Sequence, residues 1–408
     1  MADSSPEVQR HEPTQEGAAL GAPTPHSSGA VPDLEHGDYG TSRLGWRGGL
    51  GRAQRYLKRI PQYTRHARHF RSVVQHGTPR KWANLVWAEV ERKRRRVTLT
   101  SHPYLLIIDP CNYCNLRCPL CPTGMNDLGR PQAMLSFEHF GRYFDPFVPF
   151  IFEVYLHNWG ESLLNPDIYR MIAYAQARNV GTNLSSNFSD LTSSDLDNIL
   201  DSGLEYLIVS LDGTSQDTYG TYRIRGRYEQ VLANLAELLR RRRARRMTTP
   251  AVEWQFIVMR QNEHQLDEAQ VLARKLGVDL LRFIPVGMPF ETRDRQRIAE
   301  RWYPVTLTGR NVSNFREQQF GQAEKPGPCF YLYRSMVVNP DGGVSPCCVV
   351  YRKNRDFADL HTRDIDVMSI WNNAKYRSAR ALFSTNTDHE RVPTVCDGCD
   401  LFARPGLR

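Results

Sequence analysis

The stretch Cys111-Asn-Tyr-Cys-Asn-Leu-Arg-Cys-Pro-Leu-Cys-Pro-Thr-Gly124 places four of the chain's nine cysteines within eleven residues. Directly before it runs Tyr104-Leu-Leu-Ile-Ile-Asp109, an apolar segment of strand length. Thiols this dense on a loop leaving a strand point to a soft-metal site. Zinc held by two Cys-x2-Cys pairs needs a spacer of about 12 to 20 residues between the pairs. Here Cys111/Cys114 and Cys118/Cys121 are separated by only three residues, which suits an iron–sulfur cluster better than zinc. A disulfide framework fits poorly, because nothing marks the chain as secreted and bridges over these spacings would be strained.

Outward from this loop, strand-like and helix-like runs alternate. The strand-like runs are Leu105–Asp109, Glu153–His157, Gly181–Ser185, Tyr206–Leu211, Val252–Met259 and Leu280–Ile284. Between them lie helix-like runs Ser136–Phe144, Pro166–Arg178, Ser193–Ser202, Tyr228–Arg243 and Glu263–Leu276, with Gly203 and Gly277 as stops. This pattern predicts an α/β fold with a parallel sheet, either a partial (β/α)6 barrel or an open doubly wound sheet. In both, ligands gather at the carboxyl ends of the strands. The cysteine loop follows the first strand and belongs to that end.

Residues 1–45 are rich in Gly, Pro, Ser and His and read as a disordered leader. Residues 46–99 read as a basic helical extension. Between Ser42 and Val97 sixteen Lys or Arg face two acids, a local +14, so the rest of a chain of net charge +9 sums to −5. The basicity therefore says little about the body that follows. Arg92-Lys-Arg-Arg-Arg96 is a candidate nucleic-acid or acidic-partner site, but a solvated helix packed on the main domain is the preferred reading. No apolar run reaches the roughly 18 residues of a membrane span. The first residues lack a charged-then-apolar signal, so a cytoplasmic protein is expected.

Cys114-x3-Cys118-x2-Cys121 resembles the radical S-adenosylmethionine (SAM) superfamily; Cys111-x2-Cys114-x3-Cys118-Pro119 more loosely echoes a ferredoxin half-site. The first resemblance implies that Cys114, Cys118 and Cys121 hold three irons of a [4Fe-4S] cluster and that Cys111 is spare. The fourth iron would take the amino and carboxylate groups of SAM. Further stretches follow in family order. Asn158-Trp-Gly-Glu161 resembles the glycine–glutamate motif, implying Gly160 and Glu161 as acceptors for the SAM amino group; Ser162 stands where proline is usual. An ammonium needs acceptors, and glycine lets a backbone approach. Ser185-Ser-Asn187 resembles the ribose-binding turn, implying Ser186 and Asn187, with Phe188 where glycine is usual. Ser210-Leu-Asp-Gly213, followed by Tyr222-Arg223 and Gly226, resembles the segment whose serine and arginine, here Ser210 and Arg223, hold the SAM carboxylate. Leu120 stands where an aromatic residue is usual. Each position also has an ordinary reading: a loop glutamate, a helix cap, a surface arginine. His157 and Cys111 are candidate catalytic groups, although a histidine at a strand end is as readily structural.

The other five cysteines are Cys329, Cys347, Cys348, Cys396 and Cys399. Tyr331–Val338 and the turn Asn339-Pro-Asp-Gly-Gly343 read as a hairpin, and Val367–Phe383 reads as an amphipathic helix. With that turn and the stretch Ile370-Trp-Asn-Asn373 the cysteines resemble the SPASM/twitch extension of radical SAM enzymes. A full SPASM domain carries seven cysteines and two auxiliary clusters. Five suffice for one, as in the twitch form of butirosin-type aminocyclitol dehydrogenases. The implied ligands of this auxiliary [4Fe-4S] cluster are Cys329, Cys347, Cys396 and Cys399, with Cys348 the alternative to Cys347; a zinc knuckle is the other use of such cysteines. Four cysteine ligands leave no open iron, which suits electron transfer in a net oxidation.

The resemblance covers about residues 100–400, divided as a radical SAM core over 100–290 and an auxiliary-cluster domain over 291–408. It implies that SAM is cleaved to a 5′-deoxyadenosyl radical that takes hydrogen from an unactivated C–H bond, with the protein positioning atoms and excluding water. The expected reaction is dehydrogenation of a small-molecule sugar or aminocyclitol, with an external electron donor such as flavodoxin or ferredoxin. Alternatives are epimerisation of a sugar, with a cysteine thiol returning hydrogen, and modification of a ribosomal peptide. A non-enzymatic zinc or nucleic-acid-binding protein is the rival from another class.

Overall fold

Six apolar runs form six parallel strands in chain order: β1 Leu105–Ile108, β2 Glu153–Tyr155, β3 Gly181–Ser186, β4 Tyr206–Ser210, β5 Ala251–Val258 and β6 Leu280–Pro285. Each pairs with the next in parallel register. The order never reverses, as a barrel requires and a doubly wound sheet does not allow. The computed structural model describes residues 65–289, 291–292, 294–305, 327–361, 365–386 and 388–399. The expected leader at 1–45 lies outside them. All described residues fall in one compact unit, Tyr56–Arg408.

One face of the sheet is apolar and takes the helices. Leu106, Ile108, Val154, Leu184, Leu207, Val209, Val252, Trp254 and Phe256 form one cluster with Phe140, Met171, Ile199 and Leu235 from the intervening helices. Because side chains alternate along a strand, Glu153, Tyr155, Asn183, Ser185, Tyr206, Glu253, Gln255 and Arg282 turn to the opposite, inner face. Helix ends follow ordinary capping chemistry. Thr192 and Asp195 close a capping box before Ser193–Asp201, and Gly277 ends Leu266–Leu276 in the left-handed region at φ +74°.

Three features depart from the sequence reading. Gln216–Tyr222 is a helix, begun by Ser215, whose hydroxyl caps it; seven mixed residues carry too little periodicity to announce it. Tyr331–Val338 is not one strand: Tyr331–Arg334 is a helical turn, and β7 Ser335–Val338 follows. β7 pairs in parallel with β1 and then turns back antiparallel into β8 Gly343–Ser345 and β9 Ala358–Asp359. The expected hairpin is present, but it extends one nine-stranded sheet, ordered β6-β5-β4-β3-β2-β1-β7-β8-β9. The run Val367–Phe383 is two helices, Val367–Trp371 and Ala374–Ala381. Asn373 caps the second, and the Asn372 side chain bonds both backbone groups of Leu99 (2.9 and 2.8 Å).

The basic extension contributes two helices, Arg65–Gln75 and Pro79–Lys93. They pack across the amino ends of the strands. Ser72 Oγ donates to Phe152 O (3.3 Å), His76 lies on Glu205 (2.7 Å) and Lys81 Nζ donates to Asn179 O (2.7 Å). Buried Glu91 accepts from the backbone and hydroxyls of Thr100 and Ser101, tying the helices to the lead-in of β1. Among the described residues no helix is long and apolar enough to cross a membrane.

Candidate active site

The loop after β1 is folded by its own residues. Cys121 N donates to Cys118 O (3.1 Å), Met125 N to Cys121 O (2.9 Å) and Leu116 N to Cys114 Sγ (3.3 Å). Cys114, Cys118 and Cys121 gather on a small apolar cluster with Leu116, Leu120, Tyr222, Met259 and Trp302. Burial, the charge of Glu161 and the neighbouring thiols Cys118 and Cys121 push Cys114 up to about 12. Burial raises Cys118 to about 11 against the pull of Arg223. Burial and crowding keep the Cys114 and Cys118 thiols from ionising unaided, and a bound cation would favour their thiolates. Cys111 is used differently: its buried thiol donates to Glu161 O (3.1 Å).

The loop after β2 is stitched onto the cysteine loop. Glu161 N donates to Tyr113 O (2.9 Å). A Cβ on Gly160 would meet Cys111 O at 1.9 Å, so only glycine fits this crossing. Buried Asp109 accepts from Asn158 N (3.2 Å) and Trp159 N (2.9 Å), and burial raises its pKa to about 7 against those bonds. The carboxylate of Glu161 is turned inward, accepting from Asn187 N (2.7 Å) and Leu163 N (3.2 Å). It orients the next loop, while its backbone bonds Tyr113 O and the Cys111 thiol.

After β3, Ser186 Oγ accepts from Phe188 N (2.9 Å), and Asn187 Nδ2 reaches Asn115 Oδ1 (2.8 Å) and Cys114 Sγ (3.6 Å). Phe188, at the position where glycine was expected, adopts φ +59° with its ring wholly buried. The residue keeps the backbone that glycine would supply and adds core contact. After β4, Arg223 donates through Nε to Asp212 Oδ2 (2.6 Å), and Nη1 stands 4.0 Å from Cys118 Sγ. Burial works against the Arg223 charge, and Asp212 outweighs it. Asp212 is itself fixed by Ile257 N (2.7 Å). Asp212 was not singled out in the sequence, although it lies inside Ser210–Gly213; the pairing over eleven residues is tertiary. Ser210 is buried at the end of β4. His157 lies past the end of β2 with its ring stacked on Tyr155 at 5.6 Å.

The second cysteine set assembles from three segments. Cys347 is held un-ionised by burial and by the proximity of Cys348, Cys396 and Cys329, and Cys396 by burial, Cys329 and Cys399. Cys348 Sγ lies 3.4 Å from Tyr331 Oη. Among the described residues no three His, Cys, Asp or Glu side chains are gathered tightly enough to hold a single metal ion. Each set supplies the kind of thiol ligands that a [4Fe-4S] cluster takes. The two sets are connected. Arg130, with a side chain 1% exposed, donates to Asp341 (2.8 Å), Asp356 (3.0 Å) and Tyr351 O (2.7 Å). Asn158 donates to Cys348 O (3.2 Å), and Trp159 packs edge-on against Tyr351.

Two family models match: the radical SAM superfamily over residues 108–252 and the SPASM iron–sulfur cluster-binding domain over residues 329–400. The chain therefore carries a radical SAM domain and a SPASM domain. Its cofactors are [4Fe-4S] clusters and SAM. Among relatives, the radical SAM protein is 30% identical over 172 residues to the pre-heme d1 synthase of Dinoroseobacter shibae, covering 41% of this chain and 39% of that one. The chain thus spans only about two fifths of that relative. It is 24% identical over 319 residues to the PqqA peptide cyclase of Gluconobacter oxydans, covering 74% and 84%. Its fold is similar to that of Streptococcus suis SuiB, solved bound to the precursor peptide SuiA, with a TM-score of 0.54 at 14% identity over 75% of this chain and 72% of that one.

Proposed function

We propose that this radical SAM–SPASM protein removes a hydrogen atom from an unactivated carbon of an organic substrate and completes a net oxidation. The observation that supports this most is the trio Cys114, Cys118 and Cys121, one buried and two half-buried on a single apolar cluster, with the Arg223–Asp212 pair set against Cys118. A cluster and SAM, when bound, would together supply a carbon-centred radical able to take hydrogen from a C–H bond.

The chain's own residues do the rest. Cys114, Cys118 and Cys121 would hold the first cluster, and Cys329, Cys347, Cys396 and Cys399 the second. Arg223, kept charged and oriented by Asp212, receives a carboxylate. The backbone at Gly160 and Glu161 accepts an ammonium. Glu161 and Asn187 fix the loops around the thiols, and Ser186 and Ser210 offer hydroxyls at the strand ends. Neither His157 nor Cys111 is assigned a catalytic role: one is stacked, the other bonded to a carbonyl. An external one-electron donor of the flavodoxin or ferredoxin kind is required. For substrate, a sugar or aminocyclitol remains one reading. Peptide modification is the second, supported by the likeness to a PqqA peptide cyclase over 84% of that protein's length.

Anaerobic reconstitution followed by reductant and SAM tests the reading. Formation of 5′-deoxyadenosine, lost in Cys118→Ala, is expected. A wild-type protein that takes up iron but leaves SAM intact would overturn it.

A further inference from the structure

We infer that Asn183 is a specificity-determining residue that reads a neutral amide of the substrate, a peptide bond or side-chain carboxamide, at the end remote from the reacting carbon. This rests on the hydrogen-abstraction reading above and names the chemistry of its substrate.

The inner face of a parallel barrel is ordinarily packed with branched apolar residues. Here Ile107, Ile208 and Ile257 keep that character, but Glu153, Tyr155, Asn183, Ser185, Tyr206, Glu253, Gln255 and Arg282 share the face. Its ionised groups are already committed. Glu153 pairs with His69, which also meets Tyr155 Oη (3.1 Å). Glu253 accepts from Arg282 Nε (2.6 Å) and from Tyr206 Oη (2.5 Å), and Arg282 also donates to Gln255 (2.6 Å). His69 belongs to the basic extension, so that extension closes the floor of this face.

Asn183 is the exception. It is 1% exposed, and both its carboxamide oxygen and its nitrogen are buried without a hydrogen-bond partner. A buried amide left unsatisfied costs stability, and a native fold retains one for a reason. Its oxygen needs a donor and its nitrogen an acceptor, side by side. A second amide presents both in one plane. The phenols of Tyr155 and Tyr206 stand at the residues directly paired with Asn183 on either side, which favours a flat group between them. Tyr155, His157, Ser185 and Gln255, toward the carboxyl ends of the strands, are only half-buried. Asn183 lies three residues below Ser186, about 10 Å at strand rise. Ser186 leads into the Asn187 that touches Cys114. Contact at that depth grips the substrate away from the chemistry, where binding energy serves to position the reacting end.

The test uses the anaerobically reconstituted full chain, wild type and Asn183→Leu. Binding of N-acetylglycinamide and of myo-inositol is measured by saturation-transfer NMR, alongside thermal unfolding. The amide is expected to bind wild type in preference to the cyclitol. Asn183→Leu should weaken amide binding at least tenfold with an unchanged or higher Tm, because a buried unsatisfied group has been replaced by an apolar one of similar size. Substrate-free SAM cleavage should stay within twofold of wild type. Preferential binding of myo-inositol, amide binding indifferent to the substitution, or a clearly lowered Tm would each overturn the inference. A wild type that binds the amide but never cleaves SAM would sink the functional reading instead. One that cleaves SAM and ignores the amide would sink only this inference.

Discussion

Cys114, Cys118 and Cys121 occupy eight consecutive residues of one loop, whereas Cys329, Cys347, Cys396 and Cys399 come from three segments between residues 329 and 399. The first set is brought together by chain connectivity and a few turn bonds. The second exists only because β7 pairs with β1, β8 returns beside it, and two short helices carry the chain back to Cys396. A local site tolerates strain elsewhere in the fold; a site gathered from afar shares the stability of everything that gathers it. The contrast extends to the surroundings. The core thiols meet an arginine, an asparagine and a glycine crossing. The second set lies among Tyr331, Tyr333 and Tyr376, where burial dominates.

The sharpest way to break this comparison is a matched pair of cysteine substitutions. Cys118→Ala should reduce 5′-deoxyadenosine formation to background while the Tm of iron-free protein stays put. Cys396→Ala should leave the core thiols able to load iron, while shifting the unfolding of the iron-loaded protein. Iron content and calorimetry check both; identical behaviour of the two variants would erase the distinction. Next in size is Arg130→Met, which strands Asp341 and Asp356 in the interior. Losing one partner of a buried ion pair costs about 3–5 kcal/mol, measurable by urea unfolding, and a cost under about 1 kcal/mol would mean the two sites are not held together there. Phe188 sharpens the local side. Phe188→Ala should cost about 3–5 kcal/mol through the lost ring. Phe188→Gly should cost about 1 kcal/mol less, because it relieves the left-handed backbone.

The smallest expected effect concerns pH. Burial pushes the Glu89 carboxyl up, but bonds from Arg334, Tyr104 and Arg92 outweigh it and hold the pKa near about 2. A carboxylate depressed in the folded state stabilises above its unfolded pKa of about 4.3, and that stability is lost as pH falls toward 2. Because this group is partly exposed, screening reduces its contribution to about 1 kcal/mol. Glu89→Gln should therefore lower stability at pH 7 by about that amount and flatten the acid limb between pH 4 and 2. An unchanged acid limb would show that the extension is not anchored through this residue.

Much of the core was legible before any coordinates. All six strands and five helices lie where apolar runs and caps put them, because those elements bury one face and write it into the sequence at a fixed period. Gly160 was legible as a close approach, and the structure supplies its cause in the carbonyl of Cys111. Other features were not. The Asp212–Arg223 pair, the Arg130 socket and the inward turn of the Glu161 carboxylate each depend on residues that meet only in three dimensions. Tyr331–Val338 looked like a single strand because four aromatic and aliphatic residues satisfy either template. Val367–Phe383 looked like one helix because an asparagine pair does not announce that one of its members will bond a distant backbone.

Sequence alone settled the chemistry of the thiols, the alternation of strand and helix, and the basic character of the first hundred residues, since these rest on residue type and short-range spacing. Only the tertiary structure decided that β7 to β9 continue the core sheet, that Arg130 meets Asp341 and Asp356, and that Asn183 is left without a partner on the inner face. Those outcomes depend on which side chains arrive from elsewhere to satisfy a buried group, and no local pattern carries that information.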